Sequence, residues 1–258
     1  PLPLQVICDM LGLGENRKQL FALFDGIAAG STFWGMVRAV FQIGPVQQFF
    51  RDEFARVRVE PRSGLITELV HAEADGDRMS EEELLAMVFV MFAAGHETTT
   101  HLMSCGLYTL LTEPGARDAV MTADEEGMGV LVDELMRYGG PVQMTKPRYV
   151  KADTEFHGKA LKRGDKIMAL LAAGNLDPAV FEAPLVFDPA RRPNRHLGWG
   201  GGPHICLGLH LARLETEVAL SQIFARYPRL RLAVPPEKLS WTARTGLRGV
   251  TAMPLHLN

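Results

Sequence analysis

The sequence lacks the features that define several large classes of protein. It contains three cysteines in 258 residues, and the wide spacing of Cys8, Cys105 and Cys206 argues against a disulfide framework and a CxxC zinc site. An excess of one charge is also missing, because 27 basic and 30 acidic residues leave a formal net charge of -3. This balance argues against the broad positive field that binding to nucleic acid or to an anionic membrane requires.

Long apolar runs and targeting signals are missing as well. The most apolar stretch, Leu84 to Gly95, is too short to cross a bilayer, and residues 1–10 lack a basic segment followed by a long apolar run. With 47% hydrophobic residues, the chain can nevertheless bury a sizeable core. We therefore expect a globular protein of the reducing cytoplasm.

The periodicity of apolar residues predicts one mainly helical domain over residues 1–258, with small β-sheets. No repeat or low-complexity linker interrupts this pattern. Pro1 leads directly into Leu2, Leu4 and Ile7 without a polar tail, which predicts that the sequence begins inside a core helix.

Capping and turn signals divide the rest of the chain. A capping box at Ser80 and Glu83 opens a long helix that runs to Thr112. The first half of this helix is apolar on every face, which predicts that it passes through the middle of the protein. The remaining predicted elements are a helix over 124–138, small hairpins within 147–170, a long ordered loop over 175–202, a helix over 207–228 and short strands within 239–257.

A glycine-rich segment, Gly198-Trp199-Gly200-Gly201-Gly202-Pro203-His204-Ile205, places Cys206 at the start of the last predicted helix. The free N–H groups and the positive dipole end of a helix favour a thiolate over a thiol. A thiolate held in this way is a metal ligand or a nucleophile. Cys8 and Cys105 have no such loop, so we expect them to be small buried apolar residues.

Two further segments carry polar groups at positions that need explanation. Ala94-Gly95-His96-Glu97-Thr98-Thr99 places a carboxylate in the long apolar helix, which is costly unless the group is paired or used. The Thr98 hydroxyl can donate to the Ala94 carbonyl and weaken the helical ladder. Alone, this segment is equally consistent with a polar turn at the surface.

The second segment places Glu134 and Arg137 three residues apart on one face of a predicted helix. Alone, such a pair is typical of an exposed helix bridge.

Together, these motifs resemble those of the cytochrome P450 superfamily, in particular its soluble bacterial members similar to camphor hydroxylase. The resemblance covers the whole chain. It implies the C-terminal portion of that fold and a haem b cofactor whose iron is bound axially by Cys206. Trp199 stands where the family usually has Phe. We expect it to keep an aromatic ring against the haem and to offer its indole N–H to the sulfur.

The resemblance also assigns roles to the other motifs. Thr98 would hold dioxygen and Glu97 would relay protons to it, while Arg148 and His204 would bind the haem propionates. The structural centre beneath the haem would consist of Glu134, Arg137 and Arg191. Further haem contacts are expected from the loop and the long helix, at Trp199, Gly200, Gly202, Gly208, Ala94 and Gly95.

The implied reaction is monooxygenation of a small or medium apolar organic substrate by dioxygen. Electrons would come from a ferredoxin or flavodoxin. Arg191, Arg192 and Arg195 would attract this acidic partner protein. Substrate contacts are expected from Phe89, Val90, Phe92, Ala93, Val142, Met144 and Leu247.

Two alternatives to this reaction stay open. One is a haem-poor binding or recruitment module without turnover, because the N-terminal helices and strands of the family are not found before Pro1. The other is a haem peroxygenase that uses peroxide and needs no redox partner.

Overall fold

The computed structural model describes residues 2–28, 33–72, 79–242 and 244–258, without the side chains of 24–28 and 33–42. These residues form two compact units, Pro1–Thr100 and His101–Asn258. The prediction of a mainly helical fold with small antiparallel sheets is confirmed.

All regular elements in the described part of the first unit are helices. Its elements are α1 (Leu2–Leu11), α2 (Arg17–Ala28), α3 (Phe33–Val59), α4 (Leu65–His71) and the part of α5 (Glu81–Thr112) that ends at Thr100. All five helices contribute to one apolar cluster that includes Cys8, Phe50, Ile66 and Val88. Ile7 and Leu11 of α1 are buried in this cluster.

The capping box that opens α5 is confirmed. Glu83 N–H donates to Ser80 Oγ over 3.3 Å, and Ser80 N–H donates to Glu83 Oε2 over 2.9 Å. The prediction that the first half of α5 passes through the middle of the protein rather than along its surface is wrong for one side of the helix, because Met87 is 41% and Val90 60% exposed. Only the face that carries Val88 packs into the cluster of this unit. No helix within the described ranges is long and apolar enough to cross a membrane.

The second unit packs the end of α5 against three further helices. These are α6 (Ala116–Thr122), α7 (Glu125–Gly139) and α9 (Leu209–Arg226), with the single turn α8 (Leu171–Gly174) between the last two. Leu110, Leu135, Leu220 and Phe224 lie in the shared apolar cluster. The predicted helices 124–138 and 207–228 are confirmed to within two residues at each end. Asp124 caps the start of α7, where its carboxylate accepts from Gly127 N–H over 2.8 Å.

Within the described residues, four two-stranded antiparallel sheets complete this unit. They pair β1 (Arg148–Tyr149) with β4 (Lys166–Ile167), β2 (Thr154–Phe156) with β3 (Lys159–Leu161), β5 (Arg231–Leu232) with β8 (Leu255–His256), and β6 (Ser240–Trp241) with β7 (Val250–Ala252). The predicted hairpins and C-terminal strands are therefore confirmed, while β5 was not predicted. The predicted long loop is also confirmed, because residues 175–201 contain neither helix nor strand.

Candidate functional site

A buried ionic centre lies on one turn of α7. Glu134 is 0% and Arg137 2% exposed, and Arg137 donates from Nε and Nη2 to the two oxygens of Glu134 over 2.7 Å each. Arg191 reaches the same carboxylate, with its Nε 3.1 and 3.2 Å from the two oxygens. The structure thus brings together the three residues that the resemblance groups, and one carboxylate serves two guanidinium groups.

The same two arginines hold the long loop between α8 and α9. Their remaining N–H groups donate to backbone carbonyl oxygens over 2.8–3.0 Å, at Asn175, Glu182, Pro184 and Val186. Glu134 in turn accepts from the N–H of Asp188 over 2.9 Å. A buried carbonyl needs a donor wherever a helix or sheet does not supply one. The ionic centre therefore gives this loop its defined course.

Cys206 lies at the far end of that loop, three residues before the first residue of α9. Its N–H donates to the Trp199 carbonyl over 2.8 Å, which closes the glycine-rich segment into a compact turn. Gly200 and Gly202 have φ of 73° and 60°, and Gly208 precedes the first turn of α9. Positive φ values favour glycine over residues with a Cβ, so the glycines allow the turn that presents the cysteine.

The three thiols differ in their exposure. Cys206 is exposed, while Cys8 and Cys105 are buried, as expected. Burial raises the pKa of Cys8 to about 12 and also raises the pKa of Cys105. Because the thiolate is the ligand and nucleophile, Cys206 is the cysteine that this structure makes available to a metal.

The surface next to Cys206 is apolar. Ile205 is 57% and Leu207 86% exposed. Exposed aliphatic side chains on both sides of an exposed thiol fit a large apolar group with a metal at its centre. His204, in a 3₁₀ turn, and Arg148, in β1, are exposed as well. Both are therefore accessible to an anionic group.

The expected hydrogen bond from the Trp199 indole to the Cys206 sulfur is wrong. The indole Nε1 donates to Asp133 Oδ1 over 3.5 Å. Asp133 lies directly before Glu134 on α7, and its carboxylate also faces His196 and Arg213. Burial raises the pKa of Asp133, but the nearby His196 ring and the charge of Arg213 outweigh it, and the pKa lies below its usual value.

The polar segment of α5 has the local geometry that the sequence predicts. Thr98 Oγ1 donates to the Ala94 carbonyl over 2.7 Å, and Thr99 donates to the Gly95 carbonyl over 3.0 Å. Glu97 and Thr98 are half-buried and Ala94 is exposed. These positions follow one another along α5 within the first unit.

The substrate positions expected on α5 are not equivalent. Phe92 is fully buried in the apolar cluster and packs edge-to-face on Phe50, with ring centroids 6.1 Å apart. Its expected substrate contact is therefore wrong, because it lies on the core face of the helix. Phe89 packs partly against the same cluster, and Ala93 is half-buried. Val90 alone of the four presents a largely exposed side chain.

The other three expected substrate residues lie together in the second unit. Val142 and Leu247 form an isolated antiparallel bridge, and the N–H of Gln143 donates to the Gly246 carbonyl over 2.9 Å. The side chain of Met144 lies against Gly246, where a Cβ would come within 2.8 Å of Met144 Cγ.

The arginines expected to steer a redox partner are mostly paired within the chain. Arg191 is 8% exposed and bound to Glu134, so its expected steering role is wrong. Arg192 Nη2 lies 2.7 Å from Glu126. Arg195 is exposed. A cleft of about 750 Å³ beside α7 carries more carboxylates than arginines, with Asp124, Glu125, Glu126, Asp133 and Glu217 against Arg191, Arg192 and Arg213.

Sequence reasoning missed the residues around Asp133. Nothing in the spacing of Asp133, His196 and Arg213 marks them as neighbours. The available signal was the position of Asp133 directly before a carboxylate that already had a role, on the same turn of α7.

A mainly helical fold and one exposed thiol on an anchored loop are features of a haem-thiolate protein. The cytochrome P450 family model matches residues 12–126 and 128–244. PksS, a polyketide biosynthesis cytochrome P450 of Bacillus subtilis (strain 168), is 35% identical over 100% of this chain and 64% of its own length. A steroid C26-monooxygenase of Mycobacterium tuberculosis (strain H37Rv) is 35% identical over 99% of this chain and 65% of its own.

Solved structures agree with these sequence matches. The structure of Bacillus subtilis PksS has a TM-score of 0.94 at 33% identity, covering 100% of this chain and 66% of that one. The chain belongs to the cytochrome P450 family. It spans 64% and 65% of the length of the two relatives above.

Proposed function

We propose that this chain carries the haem-thiolate centre of a cytochrome P450 monooxygenase that acts on an apolar organic substrate. The observation that carries the proposal is the exposed thiol of Cys206 at the end of a loop anchored by a buried ionic centre. An axial ligand must be accessible to the cofactor and must be held by a fixed backbone. Cys206 is exposed, and its loop is anchored by the ionic centre, so both conditions are met.

The chemistry of Cys206, of its neighbours along the chain and of Arg148 fits haem b. Cys206 would bind the iron through its thiolate, Ile205 and Leu207 would cover apolar parts of the ring, and Arg148 and His204 would pair with the propionates. When bound, the haem would supply the activation of dioxygen. The protein would supply the thiolate, hold the anionic edge of the cofactor and exclude water with its aliphatic side chains.

Proton handling is proposed for α5. Thr98 carries a hydroxyl that already donates to Ala94 O, and its lone pairs stay available to accept a further hydrogen bond. Glu97, one residue earlier, would supply a carboxyl group that gains and releases protons. The dioxygen route uses both groups, which favours it over a peroxide route.

The substrate is proposed to be a medium-sized apolar molecule. Support comes from the exposed side chain of Val90 and from the apolar group of Val142, Met144 and Leu247. The names of the relatives concern polyketide biosynthesis and steroid oxidation. Electrons are proposed to come from a ferredoxin or flavodoxin, for which Arg192 and Arg195 are the exposed cations among the three that the sequence suggested.

The ferrous carbon monoxide spectrum of haem-loaded protein tests the proposal. Thiolate ligation should produce a strongly red-shifted band, and Cys206→His should abolish it, because imidazole donates less electron density than a thiolate. Cys105→Ser is the matched control, since it removes a buried thiol and should leave the band in place. A band that survives in Cys206→His, or its absence from the unaltered protein, would contradict the proposal.

A further inference from the structure

Asp133 connects three parts of the second unit through one carboxylate. On α7 it lies directly before Glu134, with a side chain that is 25% exposed. Its Oδ1 accepts from Trp199 Nε1 over 3.5 Å and lies 3.7 Å from His196 Nε2, while its Oδ2 lies 3.4 Å from Arg213 Nη2 on α9.

The orientation of the His196 ring is determined by the loop backbone. The N–H of Gly198 donates to His196 Nδ1 over 3.1 Å, so Nδ1 acts as an acceptor and the ring proton of the neutral form is on Nε2. Nε2 is the atom that faces Asp133. The His196 side chain is only 4% exposed, so solvent competes little for this contact.

Trp199 joins this carboxylate to the cysteine. Its indole N–H donates to Asp133, and its backbone carbonyl accepts from the N–H of Cys206 over 2.8 Å. One residue is thus tied to α7 by its side chain and to Cys206 by its backbone. The Phe that the family usually carries here has no donor, so the tie depends on Trp199.

Asp133 and Glu134 contact different parts of the loop. The backbone and side-chain partners of Glu134 lie at or before residue 194, whereas those of Asp133 begin at His196 and end on α9. We propose that Asp133 is a positioning residue that fixes the segment from His196 to Cys206 through Trp199 and His196. An effect of Asp133 on haem binding by Cys206 rests on the proposed function, whereas its effect on the backbone of residues 196–206 does not.

Amide hydrogen exchange of the full 258-residue chain, without added haem, tests this inference. Asp133→Ala and Trp199→Phe should each speed exchange over residues 197–206 by about tenfold, because each removes a hydrogen bond to a charged group. Asp133→Asn keeps an acceptor oxygen, so its exchange rate over this segment should lie between those of the two other variants and that of the unaltered chain. Glu125→Gln is the matched control, since it removes an exposed carboxylate of the same helix and should change nothing in this segment.

Labelling of the Cys206 thiol gives a second measurement on the same proteins. The alkylation rate of Cys206 should rise in Asp133→Ala and Trp199→Phe, while Cys8 and Cys105 stay unlabelled because they are buried. If Asp133→Ala loses protection throughout α7 and α9, Trp199→Phe decides, because it leaves both helices unchanged. Unaltered exchange and labelling in Trp199→Phe would overturn the inference.

The carbon monoxide spectrum of haem-loaded protein separates the two proposals. Faster exchange in the variants with no thiolate band in the unaltered protein would support the positioning role and reject the proposed function. A normal thiolate band with unchanged exchange would do the opposite.

Discussion

Two buried carboxylates, one in each unit, have the same local sequence pattern and different surroundings. Glu53 and Glu134 are both 0% exposed, and each is followed three residues later by an arginine that pairs with it. Each also binds a second arginine, Arg62 in one case and Arg191 in the other. The arginine side chains around Glu53 are 50% and 36% exposed, whereas those around Glu134 are 0% and 9% exposed.

This difference decides what each pair can organise. A guanidinium group has five N–H donors, and when it is buried all of them need acceptors. Arg137 and Arg191 find theirs on loop carbonyl oxygens, so their burial defines the course of the loop that leads to Cys206. The arginines around Glu53 are partly exposed, so solvent can hydrate most of their N–H groups, although Arg62 Nε is buried with no hydrogen-bond partner among the described residues. Glu53 ties Asn16 to α3 over 2.7 Å and stays a local link.

The largest effect is expected from Glu134→Ala. It leaves Arg137 and Arg191 buried without a counter-charge, at a cost of about 3–5 kcal/mol, a large part of the stability of an ordinary domain. We expect little soluble protein, and in any soluble fraction a loss of exchange protection over residues 175–191. Glu125→Ala, on the exposed first turn of α7, is the control. A soluble variant with normal protection in that loop would show that burial of the arginines does not organise it.

A smaller effect is expected from Glu53→Ala. Arg56 and Arg62 can be hydrated after the change, so the cost is mainly that of the lost hydrogen bonds, about 1–3 kcal/mol. The chain should stay folded, with a lower urea midpoint and faster exchange near Asn16 and α3. A loss as large as that of Glu134→Ala would mean that exposure of the arginines is not what separates the two centres.

The comparison also marks how far the sequence could predict the site. Glu134, Arg137 and Arg191 were predicted because the motifs around them resemble a family, whereas Glu53 and Arg56 have the same spacing and were not singled out. Spacing alone does not show burial. Val90 and Phe92 lie two residues apart on an apolar helix, and only packing against Phe50 decides which one is core. The indole of Trp199 takes its direction from Asp133, 66 residues away in the sequence.

The smallest of the three effects is expected from Asp133, the carboxylate directly before Glu134 on α7, when the pH is lowered. Its pKa in the folded chain lies below the ordinary value of 3.8, so it contributes stability that is fully present above that value and is lost as the pH falls through the lower, folded pKa. The loss should be modest because Arg213 is one-third exposed and solvent screens its charge.

The free energy of unfolding of the unaltered chain and of Asp133→Asn, measured in urea from pH 6 to about pH 3, isolates this contribution. Glu15, Glu83 and Asp153, whose pKa values are also lowered, and Glu215, whose pKa is raised by burial, are present in both proteins and cancel in the difference. The unaltered chain should be the more stable one at pH 6, and its advantage should shrink on acidification. An advantage that grows or stays constant as the pH falls would show that His196 and Arg213 do not hold Asp133 in its charged form.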